Sequence, residues 1–401
     1  MASNFRTLFA ASVAGAAIMA AASASQAQEI KLGIILGFTG PLETITPGMG
    51  DSAELAWNEV NESGLLLDGQ TITAVRADST CIDNAAAQAA AERLVTTDQV
   101  AAIMGADCSG VTIGIANNVA IPNGVVMVSP SATSPALTDI QDNDYFFRTA
   151  PSDARQGEIL TEVLQSYDIT SVAVTYTNND YGKGLSDSFV AAFEAAGGSV
   201  TINSPHEDGR GDYSAEVGAL ASAGGDALVV LGYVDQGGVG IIRSSVDTGA
   251  FDRFVLGDGM YGQSLIDAIG DDLEGTIGVL PGAEGDGSTA FATTAEAAGL
   301  DPTSSYTGES YDAAALIALA IQKAGSADRT AIRDAILEVA NGPGEPILPG
   351  ELAKGLQILK DGGDIDYVGA TNVELIGPGE ASGTYREYIV ENGEFKTVQF
   401  R

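Results

Sequence analysis

The chain has 401 residues with 18 Lys+Arg, 54 Asp+Glu and a single His, a formal net charge of −36. That length suits two or three domains, and a hydrophobic content of 45% is enough to build real cores, which excludes global disorder. The acidity opposes binding to nucleic acid or to anionic membrane surfaces, one His leaves no His-rich metal site, and two Cys cannot form a four-cysteine zinc site.

Residues 1–27 contain no Asp or Glu, have Arg6 as their one basic residue and are apolar or small from 8 to 22. Ser25-Gln26-Ala27 places small residues on both sides of a cleavage point, so the segment reads as a secretory signal peptide with the mature chain starting near Gln28. A membrane anchor is opposed by the length of the apolar run, short of ~20 residues, and by its Ala-rich composition. No Cys stands at the cleavage point to carry a lipid. The expected location is therefore the periplasm. Export also lets Cys81 and Cys108, the only two cysteines, pair in an oxidising compartment; two free buried thiols are the alternative. A bond between them would contribute roughly 3–4 kcal/mol by closing its loop. No CxxC motif is present, which disfavours a thioredoxin-like function.

From residue 30 onward short apolar runs alternate with amphipathic ones. Strands are predicted at 30–36 (IKLGIIL), 71–75, 101–104 and 125–128, with an extended stretch at 146–150 and helices at 51–61, 84–97 and 111–120 between them. The rhythm then restarts. A helix at 152–167 with Ser152 as its N-cap leads to strands at 172–175, 199–203, 227–231 (ALVVL), 254–256 and 276–280, separated by helices at 184–196, 213–223 and 238–248. Two further helices are predicted at 311–324 and 329–339. The tail reads as a hairpin, 385–390 and 395–400, turning on Asn392-Gly393. Alternating strands and helices in two runs imply an α/β fold of two doubly wound lobes built on parallel sheets.

Several chemistries lack their motif. There is no G-x-x-x-x-G-K-[ST], no G-x-G-x-x-G opening a helix after the first strand, and no G-x-S-x-G elbow. His206, the only candidate base for a triad, falls in the polar segment 204–212 and reads as a solvated loop residue. No enzyme activity and no cofactor are expected. Ligands in open α/β sheets bind beyond the carboxyl ends of the strands, so the residues just after each strand are the informative ones. These are Asp107-Cys108-Ser109-Gly110, the hydroxyl-rich run 129–135, Asn178 through Gly182, Gly232-Tyr233 and Gly257 through Tyr261. Any one of these loops reads equally as an ordinary Asx or Ser turn. Together, hydroxyls and amides on one side with tyrosines and an acid on the other suit a zwitterion, a ligand with a carboxylate and an ammonium.

The run Ser129-Pro130-Ser131-Ala132-Thr133-Ser134-Pro135, the two cysteines, Asp180-Tyr181-Gly182, Gly232-Tyr233 and Gly257-Asp258-Gly259 also resemble a known family. Over nearly the whole mature chain the sequence is similar to the periplasmic branched-chain amino acid (Leu/Ile/Val)-binding proteins of ABC importers. The resemblance implies a type I periplasmic binding fold, a Venus flytrap of two Rossmann-like lobes joined by three crossovers. One lobe is expected from 28–149 and 281–383, the other from 150–280 and 384–401. It further implies that Ser109 and Thr133 hold the ligand's α-carboxylate, with backbone groups at Ser131 and Cys108. Asp258 would take the α-amine, Tyr181 and Tyr233 would close over the ligand, and Cys81–Cys108 would match the family disulfide.

The departures fall where the ligand side chain should lie. Asp107 stands where the Leu/Ile/Val binder has an apolar residue, 44–46 lacks a lip aromatic, and Gly308 replaces a pocket-wall aromatic. A wider, more acidic pocket, open to polar, basic or bulky amino acids, is one expectation; in the other, Asp107 caps the helix starting near Val111 or faces solvent, and the specificity stays apolar, for branched-chain amino acids. An amide, a urea-like solute or an aromatic acid is the alternative ligand. The implied partners are that small molecule and an inner-membrane permease, with the receptor itself a monomer and no nucleic acid bound.

Overall fold

The protein is described by a computed structural model over residues 29–401. The signal-peptide reading falls on residues outside that range.

Sixteen strands were found among the described residues. The first five are β1 (Glu29–Leu36), β2 (Thr71–Asp78), β3 (Ala102–Gly105), β4 (Val126–Ser129) and β5 (Phe146–Arg148). The next five are β6 (Ser171–Thr177), β7 (Ser199–His206), β8 (Ala227–Leu231), β9 (Phe254–Leu256) and β10 (Ile277–Pro281). β11 (Glu345–Ile347) and β12 (Ile365–Tyr367) form a small parallel pair of their own. The last four are β13 (Leu375–Ile376), β14 (Glu380–Ala381), β15 (Tyr385–Glu391) and β16 (Glu394–Phe400).

Two seven-stranded sheets carry the molecule, in the orders β13-β14-β5-β4-β3-β1-β2 and β16-β15-β10-β9-β8-β6-β7. The chain passes between them three times, so the two-lobed arrangement with three crossovers holds. Their parallel centres follow from the sequence. β3, β4 and β8 are buried at every residue, as strands covered by helices on both faces must be, and they are the short continuous apolar runs of the sequence. The edge strand β7 alternates exposed and half-buried positions instead. In each sheet the strand order reverses beside one strand. β1 has β2 on one side and β3 on the other, and β6 has β7 and β8. Those reversals leave crevices at the carboxyl ends, and the two crevices face one another.

The helix Thr307–Ala324 is apolar nearly all round and almost wholly buried. The helix Thr46–Ser63 packs along it, with Trp57 Nε1 donating to the Ala314 carbonyl at 2.9 Å. The tail hairpin forms as expected. Glu391 pairs with Glu394, and Asn392 and Gly393 both take positive φ, the geometry of a type I′ turn. Ser152 caps the helix Asp153–Ser166. Cys81 and Cys108 are bonded, 5.1 Å apart at Cα and 27 residues apart in sequence.

The structure also corrects several expectations. Helices Gln263–Ile269, Asp286–Ala297 and Leu352–Lys360 were not anticipated, and the long helix begins at Thr307 rather than 311. The first and last are short, seven and nine residues, and Gly, Ser and Thr dilute the stripe of the second. His206 is not a solvated loop residue. It ends β7, is 1% exposed, and has the Thr175 hydroxyl 2.9 Å from Nδ1. Burial pushes its pKa down to about 4, so it is a neutral ring of the second lobe's core.

Candidate ligand-binding cleft

The facing crevices enclose a cavity bounded by the ends of β1 and β3 on one lobe and β6, β8 and β9 on the other. From the first lobe come Asp107, Cys108 and Ser109, directly after β3, and Ser131 after β4. Cys108 stays extended as the N-cap of the helix Ser109–Ile115. The Ser109 hydroxyl accepts from the Ser134 backbone N–H at 3.1 Å, which ties the loop after β4 to that helix. Arg148, 1% exposed at the end of β5, holds the same loop from below. Its Nη1 donates to the carbonyls of Ala132 and Ser134 at 3.0 and 2.9 Å, and its Nη2 reaches Thr138 and the Glu380 carboxylate. The carbonyls of a tight hydroxyl-rich loop would otherwise be buried without donors.

Asp107 lines the cavity, but both of its oxygens accept from the Gly37 N–H at 3.0 Å, and Ser79 Oγ donates at 3.1 Å. Burial raises its pKa, and these donors work against that rise. Its carboxylate thus fastens the ends of β1, β2 and β3 together.

The second lobe contributes Tyr181, Tyr233, Asp258 and Gly259. Asn179 caps the helix Asp180–Ala195 by accepting from the Gly182 N–H at 3.0 Å, which puts Tyr181 in the first turn. Gly182 is required there, because a Cβ would lie 2.2 Å from the Thr177 carbonyl oxygen. Tyr181 stacks on Tyr233 with ring centroids 5.1 Å apart. Its hydroxyl donates to Asp258 Oδ1 at 2.8 Å and accepts from the Gly259 N–H at 3.2 Å. The other Asp258 oxygen accepts from the hydroxyl of Tyr306, which precedes the helix Thr307–Ala324 with φ of +59°. Burial and the Asp258 charge push both phenols well above their usual pKa, so both remain donors.

Leu42, Ile45 and Met49 supply the apolar part of the wall. At the rim Thr44 donates to Asp235 of the opposite lobe through its N–H at 3.0 Å and its hydroxyl at 2.8 Å. The cavity so closed has about 20 Å³ open to the centre of a water molecule, room for about one water. Admission of anything larger requires the lobes to part. Among the residues lining it there is no Lys, Arg or His, and no nucleophile stands beside a base.

Of the residues expected to touch the ligand, Asp107, Cys108, Ser109, Ser131, Tyr181, Tyr233 and Asp258 line the cavity, and one stands apart. Thr133 does not line the cavity. It is fully buried, its hydroxyl has no hydrogen-bond partner, and it neighbours Asp153, whose two carboxylate oxygens are also unpartnered. Burial, then the charge of Asp258, drives the Asp153 pKa well up. Gly308 likewise stands outside the cavity, against Ala370 and Thr371, so the aromatic it was expected to replace would not have formed this wall. Tyr306, Asp153 and the apolar trio were missed by the sequence reading. Tyr306 follows no strand, and Asp153 stood in the sequence only as a residue after an N-cap. The trio sits in the turn after β1 and the start of a helix, where apolar residues read as core.

A family model for periplasmic binding proteins matches residues 29–347. A Leu/Ile/Val-binding protein homolog of Brucella melitensis biotype 1 is 31% identical over 80% of this chain and 86% of its own length. Among solved structures, a leucine-binding protein of Thermotoga maritima superposes with a TM-score of 0.78 at 24% identity, covering 92% of this chain and 98% of that one. A solute-binding protein of R. palustris in complex with 4-hydroxybenzoate gives 0.75 at 19% identity, covering 93% and 97%. With the two-lobed fold, the family match and the 31%-identical relative settle the class: the chain belongs to the periplasmic binding proteins, in the branched-chain amino acid-binding group of ABC transporter solute receptors, a family of binding proteins rather than enzymes.

Proposed function

We infer that the cleft binds an α-amino acid as its zwitterion and presents it, enclosed, to an inner-membrane permease. The observation that carries this reading is Asp258. It is a carboxylate 3% exposed on the cavity wall, its two oxygens held by neutral phenols, with no cationic side chain among the lining residues. A buried anion without a countercharge is costly, and an ammonium arriving on the ligand would supply one. Opposite, Ser109 offers its hydroxyl and backbone N–H to the α-carboxylate, and Ser131, whose hydroxyl donates to the Asp107 carbonyl at 3.2 Å, would turn to the ligand as it enters. Leu42, Ile45 and Met49 would face an apolar side chain, and Asp107, already saturated, is not free to attract a basic one. The 31%-identical relative is named for Leu, Ile and Val, which agrees with an apolar preference.

The two units, 28–149 with 281–383 and 150–280 with 384–401, open to admit the ligand. Contacts from both sides then favour the closed form that the permease recognises. The receptor acts as a monomer in the periplasm after residues 1–27 are removed.

A thermal-shift panel of amino acids, amides, urea and aromatic acids tests the reading. A specific amino acid at 100 times its Kd should stabilise the protein by about 2.7 kcal/mol. Stabilisation by acids lacking an amine, and not by amino acids, would reject it.

A further inference from the structure

A second chamber adjoins the cleft, with about 210 Å³ open to the centre of a water molecule, an order of magnitude more than the ligand cavity itself. It lies where β10 ends, between the helix Asp286–Ala297 and the start of Thr307–Ala324. Tyr306 lines both spaces and is the partition between them. Its backbone is held in the left-handed region, unfavourable for a tyrosine, and its hydroxyl bonds to Asp258. That carboxylate is the one to which the ligand ammonium is assigned above. An incoming ammonium therefore competes with the Tyr306 hydroxyl for the same oxygens and loosens the partition as it binds.

The chamber has an apolar wall that includes Leu280 and Phe291, and Gly308 adds no side chain to fill it. Its charged groups are already engaged or quenched. The Arg386 guanidinium sits over the Tyr261 ring at 4.8 Å and donates to the Thr303 carbonyl at 3.2 Å. Burial raises the Glu309 pKa to about 8, so it stands as a neutral acid at pH 7. Such a space suits a large neutral side chain. The passage to it, the gap a tyrosine ring vacates, suits a flat one.

We propose that Tyr306 is a gate and that the chamber behind it receives the side chain of an aromatic amino acid bound in the cleft. The proposal rests on the zwitterion reading for the amine and carboxylate, and adds a subsite for the side chain.

Two plugs test it, both placed on chamber-lining residues outside the ligand cavity, Ala292→Phe and Ser288→Phe. Calorimetry with L-phenylalanine and L-valine is the readout. The wild type is expected to bind both. Each plug should weaken phenylalanine at least tenfold while leaving valine within twofold, and unchanged valine binding certifies the fold of each variant. Phenylalanine binding that is indifferent to both plugs would overturn the chamber as a subsite. So would a wild type that binds valine and refuses phenylalanine, and in both cases the zwitterion reading stands. Binding of neither ligand, nor of any amino acid in the panel, overturns both.

Discussion

Replacing Asp258 with Asn keeps the shape of the side chain and removes its charge. The carboxylate is 3% exposed, and its immediate partners are two phenol hydroxyls, both neutral. Once the lobes close, water has almost no access, with about 20 Å³ left in the cavity. An ammonium enclosed there without its anion loses a desolvated, charge-assisted contact. Truncations of that kind cost about 2–4 kcal/mol, or roughly 30- to 700-fold in Kd. Titration calorimetry of L-leucine into both proteins measures the loss. The control ligand is 4-methyl-2-oxopentanoate, which has the same carboxylate and side chain but no amine. It should bind the wild type poorly and the variant no worse. Tyr306→Phe is a second control, since it removes a donor that competes for Asp258 and spares the charge, and it should leave leucine affinity within tenfold of the wild type. Asp258→Glu should be milder than Asp258→Asn. Equal leucine affinity in wild type and Asp258→Asn would refute the assignment of the amine.

Other parts of the structure respond to simpler perturbations. The Cys81–Cys108 bridge closes a loop of 27 residues, so the double alanine variant should lose about 3.5 kcal/mol in urea unfolding and bind ligand more weakly, because Cys108 precedes Ser109; lost stability with unchanged affinity would remove the bracing role. Arg148→Met leaves the Ala132 and Ser134 carbonyls without this donor and Glu380 with the Thr138 hydroxyl but no countercharge, and should cost about 3–5 kcal/mol; a loss below 1 kcal/mol would show that the loop does not depend on it. Between pH 6.5 and about 4 the unfolded chain takes up a proton that folded His206 refuses. Stability from this group is complete above pH 6.5 and falls by about 3 kcal/mol as pH drops through that window, and His206→Phe should flatten the wild-type slope there. Asp235→Ala removes the rim contact with Thr44, and should enlarge the radius of gyration of the unliganded protein in solution scattering without lowering its unfolding midpoint appreciably.

How far the sequence could be read follows from how local each feature is. ALVVL at 227–231 and Asn392-Gly393 are short patterns with one structural outcome, and they became β8 and the hairpin turn. Looking just past each strand found Asp107, Cys108, Ser109, Ser131, Tyr181, Tyr233 and Asp258, because strand ends in a doubly wound sheet converge by topology. What escaped depends on contacts between distant segments. Tyr306 meets Asp258 across 48 residues and Thr44 meets Asp235 across 191, and no local pattern announces either. Thr133 illustrates a different limit, since its loop was located correctly while its hydroxyl turned toward Asp153 and away from the cavity. The charge of Asp107 read as a pocket group because its residue type was visible and its two donors, Gly37 N–H and Ser79 Oγ, were not.

The central claim is that this cleft recognises both ends of an amino acid, one from each lobe. The most direct measurement is a crystal structure of the protein grown with saturating L-leucine. The account predicts the ammonium nitrogen about 2.7–2.9 Å from an Asp258 oxygen, with the carboxylate on Ser109 and Ser131 across the cleft. Leucine bound in the cleft with its ammonium directed away from Asp258, or a cleft left empty at saturation, would contradict it.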